Sequence, residues 1–326
     1  MLCIKHPNTD ARFNLAAEEY VLKNFGDDIF MLWQNHNTIV VGKHQNTLAE
    51  INYDYVKELD IRVVRRLSGG GAVYHDLGNL NFTFITNGQE GRLVDFKKFT
   101  LPILEVLKNL GIDARFEGRN DLTINGLKFS GNAEHVYKNR VLHHGTLLFS
   151  SELGSLSMAL KVNPLKYHDK AVKSVRSRVT NIRDHLSDDL TVEEFRDLIM
   201  EHIFNVFPNA RKYDFSPADI EYIQLLVNEK YDTWQWNYGY SPKYAFHKMI
   251  KTPGGYIEYH LNVEEGTIKD IKIFGDFFSF REISELEEML RNLPHREEVI
   301  YDKLKPIPFG EYLHQVELKD FVSGMF

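Results

Sequence analysis

The sequence predicts a two-domain α+β protein, with a larger domain of helices and strands over residues 1–243 and a small α+β domain over residues 244–326. Three observations support this prediction. The chain has 326 residues, which suits about two domains of ordinary size. Segments with strand-like and helix-like periodicity alternate along it. The composition also changes at an aromatic, turn-rich segment, Trp234 to Pro242, and we place the boundary just after it.

The first domain begins with a predicted helix, Asn14 to Phe25, for which Asn14 would provide the N-cap. Two predicted strands follow, Ile29 to Trp33 and Thr38 to Val41, because both runs are apolar and are separated by turn-forming residues. A third predicted strand, Ile61 to Val64, leads into a glycine-rich segment.

A tight β-hairpin is predicted at Asn125-Gly126, the strongest short-range signal for such a turn. Because side chains alternate along a strand, Lys128 can face a pocket while its two neighbours pack. The same alternation places His143 and His144 on opposite faces of their strand, which argues against a metal site shared between them.

Three helices are predicted from periodicity and end signals. Leu101 to Leu110 stops before Gly111, a residue favoured just past a helix C-terminus. Capping-box patterns that begin at Thr191 and Ser216 mark the other two.

The second domain contains one predicted hairpin and one predicted helix. Tyr256 to Val263 and Ile268 to Phe274 alternate apolar and polar residues on either side of a glycine turn. Ile283 to Leu293 then carries apolar residues at helical spacing.

Composition and charge narrow the function. The formal net charge of -7 argues against nucleic acid as a partner, since such proteins usually carry a basic domain. The single cysteine, Cys3, excludes an internal disulfide framework and a cysteine-cluster metal site, and it suits a reducing compartment. No run is long and apolar enough for a signal core or a membrane span, so the sequence predicts a cytoplasmic protein without membrane attachment.

The segment Arg65 to Asp76 holds three successive glycines beside two arginines. Glycine loses much backbone entropy on folding, so such a run calls for a compensating role. A backbone without side chains lets an anion approach closely, and arginine adds charge and hydrogen-bond donors. A β-bulge or tight turn is the alternative. Gly42-Lys43 does not belong to a phosphate loop, because His44 follows the lysine.

A second basic segment, Lys166 to Arg183, has little periodicity. Such a run is usually a solvated surface. The alternative is a lid that closes over an anionic ligand.

Five motifs occur in an order that resembles lipoate-protein ligase A, a family of the biotin/lipoate ligase superfamily. They are RRLSGGGAVYHDLGN from Arg65, GRNDL from Gly118, KFSGNA from Lys128, HHGTLL from His143 and SVRSRVTN from Ser174. The resemblance covers roughly residues 10–240, and the tail resembles that family's small accessory domain. It implies a biotin/lipoate ligase-like catalytic domain, a two-layer α/β domain of mixed β-sheet and helices, over residues 1–243 and a small α+β accessory domain over residues 244–326.

The resemblance also implies the activity. An enzyme of this kind is an ATP-dependent, AMP-forming lipoate-protein ligase: it activates lipoic acid to lipoyl-AMP, with Mg²⁺, and transfers the lipoyl group to a lysine. The implied acceptors are apo lipoyl domains of 2-oxoacid dehydrogenase complexes and the glycine cleavage H protein.

The resemblance assigns site residues by matching motif positions. Lys128 resembles the family's essential lysine, which contacts both the acyl group and the α-phosphate, and Arg66 resembles the phosphate-binding arginine. Asp121 is a candidate Mg²⁺ ligand as well, because Mg²⁺ prefers oxygen donors. The implied ATP and lipoyl-AMP site is Arg66, Gly69, Gly70, Gly71, Ala72, Val73, Tyr74, Asn79, Asp121, Lys128, Gly131 and His144. Lys173, Arg176 and Arg178 are implied to belong to a loop that covers the adenylate.

Three other functions remain open at this point. An octanoyltransferase of the same superfamily would use a cysteine nucleophile, and Cys3 lies far from the motifs in sequence. A lipoyl amidotransferase that uses preformed lipoyl-AMP or lipoyl-protein could keep the same fold and lysine. A noncatalytic lipoate or nucleotide sensor is the third, although such a protein would have no need to retain both Arg66 and Lys128.

Overall fold

A computed structural model describes residues 1–88, 95–160 and 178–326, together with the backbone of residues 167–169. Its strands are β1 (Leu2–Lys5), β2 (Ile29–Trp33), β3 (Thr38–Val41), β4 (Arg62–Arg65), β5 (Val73–His75), β6 (Asn79–Asn87), β7 (Ala114–Glu117), β8 (Asp121–Ile124), β9 (Leu127–Tyr137), β10 (Arg140–Leu148), β11 (Tyr167–Asp169), β12 (Arg211–Lys212), β13 (Tyr244–Thr252), β14 (Gly255–Glu264) and β15 (Thr267–Gly275). Its α-helices are α1 (Ala11–Asn24), α2 (Thr47–Glu50), α3 (Tyr53–Glu58), α4 (Phe96–Asn109), α5 (Leu153–Ala159), α6 (Val192–Val206), α7 (Pro217–Leu226), α8 (Ile283–Leu290), α9 (Glu297–Leu304), α10 (Phe309–Tyr312) and α11 (Leu318–Ser323).

The strands form three sheets. An eight-stranded sheet has the order β12-β1-β2-β6-β10-β9-β8-β7 and is antiparallel except where β1 pairs with β2 and β12. A three-stranded sheet has the order β4-β3-β5, and a four-stranded sheet the order β11-β13-β14-β15. This mixture of mostly antiparallel sheets with helices is the predicted α+β class.

The main core lies between the large sheet and helices α4 and α6. Helix α4 buries Ile103 and Leu107, and helix α6 buries Phe195 and Ile199. Phe149, next to the end of β10, stacks on Phe195 with ring centroids 4.9 Å apart. Large aromatic side chains bury much apolar area, so this cluster anchors the strands that carry the site.

The described residues form two compact units, each with more contacts within itself than with the other. The first contains residues 1–43, 58–160 and 174–233, and the second contains residues 44–57, 161–173 and 234–326. Both units therefore draw on more than one stretch of the chain. The predicted domain boundary at 243/244 stays a prediction.

The second unit is built on its antiparallel sheet. Strand β14 alternates buried and exposed residues, with Ile257, Tyr259 and Leu261 inside. The C-terminal residue packs there as well: Phe326 stacks on His295 with ring centroids 4.5 Å apart. The predicted hairpin is present, and β13 is a further strand that the sequence did not predict.

Local differences from the predicted elements have identifiable causes. Helix α1 begins at Ala11, because Asp10 caps it through a bond from Arg12 N–H, and Asn14 instead lies buried inside the helix. Helix α8 ends at Leu290, and Asn292 has a positive φ of 62°. Within the expected turn-rich connection, Gln235–Gly239 forms a π-helix. None of the described helices combines the length and the apolar character that crossing a bilayer requires.

Candidate active site on strands β9 and β10 and the glycine-rich segment

Lys128 lies one residue after the start of β9, directly behind the predicted hairpin turn. Asn125 and Gly126 have φ values of 52° and 75°, the left-handed pair that a two-residue turn of this kind requires. The Lys128 side chain is 27% exposed, and its Nζ lies 2.8 Å from Oδ1 of Asp121 on the neighbouring strand β8. The turn and the strand alternation thus place the predicted cation on the accessible side of the sheet.

Gly131 leaves room for the Lys128 side chain. A Cβ at Gly131 would lie 3.1 Å from Lys128 Nζ and 3.2 Å from its Cε. Because a strand side chain at this position would press on the amine, glycine allows Lys128 to lie across the backbone toward Asp121.

The end of the second basic segment lies beside Lys128. The Lys128 N–H donates to the Arg178 carbonyl at 2.9 Å, and the Thr180 N–H donates to the Lys128 carbonyl at 3.0 Å. Arg178 is exposed. Lys173 and Arg176 fall outside the described residues, so their predicted role over the adenylate stays a prediction.

Arg66 is buried and holds the glycine-rich segment from within. Its guanidinium donates to the carbonyl oxygens of Gly69 at 2.6 Å and Gly71 at 2.8 Å, and also to Val40 O at 3.1 Å. Burial lowers the pKa of Arg66 to about 10, although the Glu18 carboxylate opposes the shift. The described donors of Arg66 thus bind protein carbonyls and the Ser68 hydroxyl, and its predicted contact with phosphate stays a prediction.

Glycine is required at one described position within the glycine-rich segment and at one position that faces it. Gly70 has a φ of +92°, and a Cβ there would lie 2.9 Å from Arg66 Nη2. A Cβ on Gly42 would collide with the Gly70 carbonyl oxygen. The two backbone segments approach so closely that only glycine fits between them. This close packing is part of the role that compensates for the backbone entropy that glycine loses on folding.

A chain of hydrogen bonds connects this segment to the large sheet. Ser68 Oγ lies 2.6 Å from His144 Nε2, and His144 Nδ1 lies 3.0 Å from Oε1 of Glu18. Glu18 Oε1 also accepts the Thr83 hydroxyl at 2.6 Å. Because Arg66 Nε donates to Ser68 Oγ at 3.0 Å, each group has a partner along the chain.

Two buried polar atoms at this site have no partner among the described residues. They are Nε2 of His75, on β5, and Oδ1 of Asn79, on β6. Asn35 Nδ2 contacts His75 Nδ1 at 3.0 Å, which leaves the ring hydrogen on Nε2. Burial, with the positive charge of Arg66, lowers the pKa of His75 to about 3 and keeps the ring neutral. A buried donor and a buried acceptor are thus left for ligand or water.

Three further predicted residues, Ala72, Val73 and Tyr74, lie where the segment leads into β5. Val73 and Tyr74 are strand residues, and the Tyr74 hydroxyl donates to Asn37 at 3.1 Å. Ala72 is 8% exposed. These residues shape the segment, and their predicted nucleotide contacts stay predictions.

Strands β9 and β10 bring the Lys128 group and the His144 group into one sheet. His144 is the cross-strand partner of Ala133, five positions after Lys128. The Gly131 N–H also lies 3.2 Å from Thr146 Oγ1 on β10. His143 lies on the opposite face with Glu134, as the strand alternation predicted.

Sequence reasoning missed Glu18 and Ser68. Ser68 lies inside the glycine motif but has no distinguishing neighbour in sequence, and α1 reads as a packing helix. A signal existed in α1, since Asn14 and Glu18 are polar residues four apart, where an amphipathic helix would bury apolar ones.

Two family descriptions match the chain. Residues 10–204 match the lipoyl protein ligase A/B catalytic domain, and residues 241–325 match the bacterial lipoate protein ligase C-terminus. The chain belongs to the lipoyl protein ligase family. The prediction from the five ordered motifs is therefore confirmed.

Known lipoate ligases agree with this assignment in sequence and in fold. Lipoate-protein ligase LplJ of Bacillus subtilis (strain 168) is 44% identical over 331 residues, covering 100% of both chains. A bipartite lipoate protein ligase of Thermoplasma acidophilum, studied with its E2 lipoyl domain, is 27% identical with a TM-score of 0.63, covering 73% of this chain and 95% of that one. A lipoate-protein ligase A bound with ATP is 27% identical with a TM-score of 0.62, covering 73% and 98%. The predicted fold class is confirmed, and the chain is a ligase.

Proposed function

We propose that this lipoate ligase activates lipoic acid with ATP and then transfers the lipoyl group to a lysine of an acceptor lipoyl domain. In the first step a carboxylate oxygen of lipoate bonds to the α-phosphorus and pyrophosphate leaves. In the second, the acceptor amine bonds to the acyl carbon, AMP leaves and the amine loses a proton. The family, and the ATP-bound and lipoyl-domain studies of two relatives, support this reaction.

The single observation that carries our residue assignment is the accessible Lys128 amine beside Asp121 and Gly131. Two anions, a carboxylate and a phosphate, must meet in the first step, so a cation at the meeting point lowers the barrier. An ammonium is a compact charge with several donors and can contact both anions. Lys128 would then move from Asp121 to the substrates, a displacement that Gly131 leaves unobstructed.

The glycine-rich segment would bind the phosphates through its backbone. Arg66 fixes the carbonyl groups of Gly69 and Gly71, which orders the segment before a ligand arrives. Preorganised N–H donors cost little reorganisation during the reaction. A direct contact between Arg66 and phosphate would require some of these bonds to break.

Asp121 fits a role in Mg²⁺ binding together with the substrate phosphates. Mg²⁺ prefers oxygen ligands and usually takes only one or two carboxylates alongside phosphate oxygens. The Asp121 side chain is 31% exposed and already faces the Lys128 amine. The metal would neutralise phosphate charge, while Asp121 would release Lys128 for its contact with the substrates.

The acceptor follows from the chemistry of the second step. AMP is a good leaving group, so positioning of a neutral lysine amine supplies much of what transfer requires. Lipoyl domains of 2-oxoacid dehydrogenase complexes and the glycine cleavage H protein are the proposed acceptors.

The octanoyltransferase alternative has no suitable nucleophile in this chain. Cys3 lies in β1, is 1% exposed, and burial raises its pKa to about 11. A thiol of this kind is neutral at physiological pH and out of reach of an acyl carrier.

A reconstituted assay tests the proposal. Full-length protein is incubated with ATP, Mg²⁺, lipoate and either an apo lipoyl domain or apo H protein, and acceptor mass and AMP are measured. We expect a lipoyl mass increase that requires ATP. Transfer from supplied lipoyl-AMP, without any transfer from ATP and lipoate, would replace the ligase proposal with the amidotransferase.

A further inference from the structure

Three potential metal ligands converge on the exposed face of the β13–β14 pair in the second unit. His247 Nε2 lies 2.7 Å from Oε1 of Glu258, and His260 Nε2 lies 2.8 Å from the same oxygen. Ligand atoms of all three residues lie within 4.8 Å of one another. None of these residues belongs to the motifs that define the ligase site.

Strand register explains why the three side chains meet. His247 and His260 are direct cross-strand partners, and Glu258 precedes His260 by two residues, so it shares the same face of the sheet. The two imidazole rings stack with centroids 4.3 Å apart and planes at 25°. The backbone of a regular hairpin therefore fixes all three positions.

The neighbouring lysine does not occupy the carboxylate of this group of three residues. Lys272 on β15 is the cross-strand partner of His260, but its amine pairs with Glu287 at 2.6 Å. Phe274 meets the His260 ring edge-on with centroids 5.5 Å apart, which restrains the ring. A cation approaching the three ligands thus meets one carboxylate and two imidazole rings.

We propose that His247, Glu258 and His260 form a binding site for a divalent transition metal ion, with Zn²⁺ as its reference ligand. Zn²⁺ binds imidazole nitrogen at about 2.0–2.1 Å and carboxylate oxygen at similar distances, which in a tetrahedron places the ligand atoms about 3.4 Å apart. Each imidazole would carry its hydrogen on Nδ1 and present Nε2 to the metal. Small side-chain rotations reach this arrangement without a backbone change.

Two imidazole nitrogens and one carboxylate oxygen disfavour Mg²⁺, the ion that accompanies ATP. Two imidazoles suit Zn²⁺, Ni²⁺ and Cu²⁺, whereas Mg²⁺ prefers an octahedron of oxygens. The side chains of His247 and His260 are each 45% exposed, so a fourth position faces solvent and takes water or a further donor.

The test titrates Zn²⁺ into metal-stripped full-length protein without ATP, using calorimetry and competition with a chromophoric chelator. We expect one equivalent of Zn²⁺ to bind. His247→Ala or His260→Ala should lower the Zn²⁺ affinity by at least about tenfold, because loss of a residue that only hydrogen-bonds to a metal ligand already lowers metal affinity by about that factor. Mg²⁺ should neither bind at this site nor displace Zn²⁺. Zn²⁺ should raise the Tm of wild-type protein but not of these variants.

His202→Ala is the matched control. His202 is another histidine paired with a carboxylate, Glu105 at 2.9 Å, but among the described residues it belongs to no group of three metal ligands. This variant should bind Zn²⁺ like wild type. The proposal is overturned by an absence of stoichiometric binding, or by equal affinity in wild type, His247→Ala and His260→Ala.

Discussion

Lys128 owes its position to contacts within its own hairpin. The turn at Asn125-Gly126 sets its side of the sheet, Asp121 receives its amine, and Gly131 leaves the space for it. Each of these is a short-range feature of β8 and β9. The position of the proposed reacting cation can thus be altered without disturbing the core.

Gly131→Ala tests the placement of the amine. The added Cβ would lie 3.1 Å from Lys128 Nζ, so the flexible end of the lysine must shift. A small misplacement of a reacting group can cost about 100-fold in rate, so we expect lipoyl-AMP formation to slow by about 10–100-fold. Unfolding free energy should change by less than about 1 kcal/mol. Unchanged single-turnover kinetics would show that the position of Lys128 does not matter.

Some single residues were predictable and others were not. Strand alternation correctly separated His143 from His144, and the predicted Asn-Gly turn is present directly before the strand that carries Lys128. Glu18 and Ser68 meet through His144 across 126 and 76 residues of sequence, and no local pattern encodes such a contact.

At the scale of elements, the glycine-rich segment packs closely against the residue that follows β3. Gly42 lies so near Gly70 that a methyl group would collide with the carbonyl oxygen of Gly70. Arg66 holds the same segment through Gly69 and Gly71. Packing against Gly42 and hydrogen bonds from Arg66 therefore both order the segment before any ligand binds.

Gly42→Ala should displace the segment. The collision involves backbone on both sides, so neither partner can rotate away, and we expect a loss of about 1–3 kcal/mol in unfolding free energy. Urea denaturation measures this loss, and ATP affinity should fall with it. Gly26→Ala is the control, because a Cβ there meets nothing within 4 Å. Wild-type ATP affinity in Gly42→Ala would contradict the role given to the segment.

Elements with strong end signals were predicted well. Strands β2 and β3 have the predicted bounds, and α6 and α7 begin at the predicted capping boxes. The start of α1 was wrong because Asp10 and Asn14 are both good caps, and only tertiary burial of Asn14 decides between them. The pairing of distant strands, such as β1 with β12, was not predictable from local periodicity.

At the scale of the whole molecule, buried neutral histidines couple folding to pH. His75 and His295 are 3% and 1% exposed, and burial lowers their pKa values from 6.5 to about 3 and about 4. His295 accepts from Tyr244 and donates to the Met325 carbonyl, so the neutral ring satisfies both of its nitrogens. Below about pH 6.5 the unfolded chain binds protons that the folded chain does not.

We therefore expect unfolding free energy to fall as pH decreases from about 6.5 toward 4, by about 1.4 kcal/mol per pH unit for each histidine. Above about pH 6.5 these two residues contribute no pH dependence. Urea denaturation at several pH values measures the slope. In His295→Phe the dependence of unfolding free energy on pH should be smaller by about 1.4 kcal/mol per pH unit, the contribution of one histidine, even if this variant is less stable at every pH. A slope equal to that of wild type would show that His295 takes up a proton in the folded state.

In the proposed reaction, Lys128 is the cation at which lipoate and ATP react. Lipoate-dependent exchange of pyrophosphate into ATP measures this step alone, without an acceptor. Lys128→Ala should abolish the exchange while its circular dichroism and Tm match wild type, because a partly exposed strand lysine contributes little packing. Lys212→Ala removes another strand lysine, paired with Asp214 at 2.9 Å, and should leave the exchange unchanged. Wild-type exchange by Lys128→Ala would show that Lys128 is not the cation of the first step.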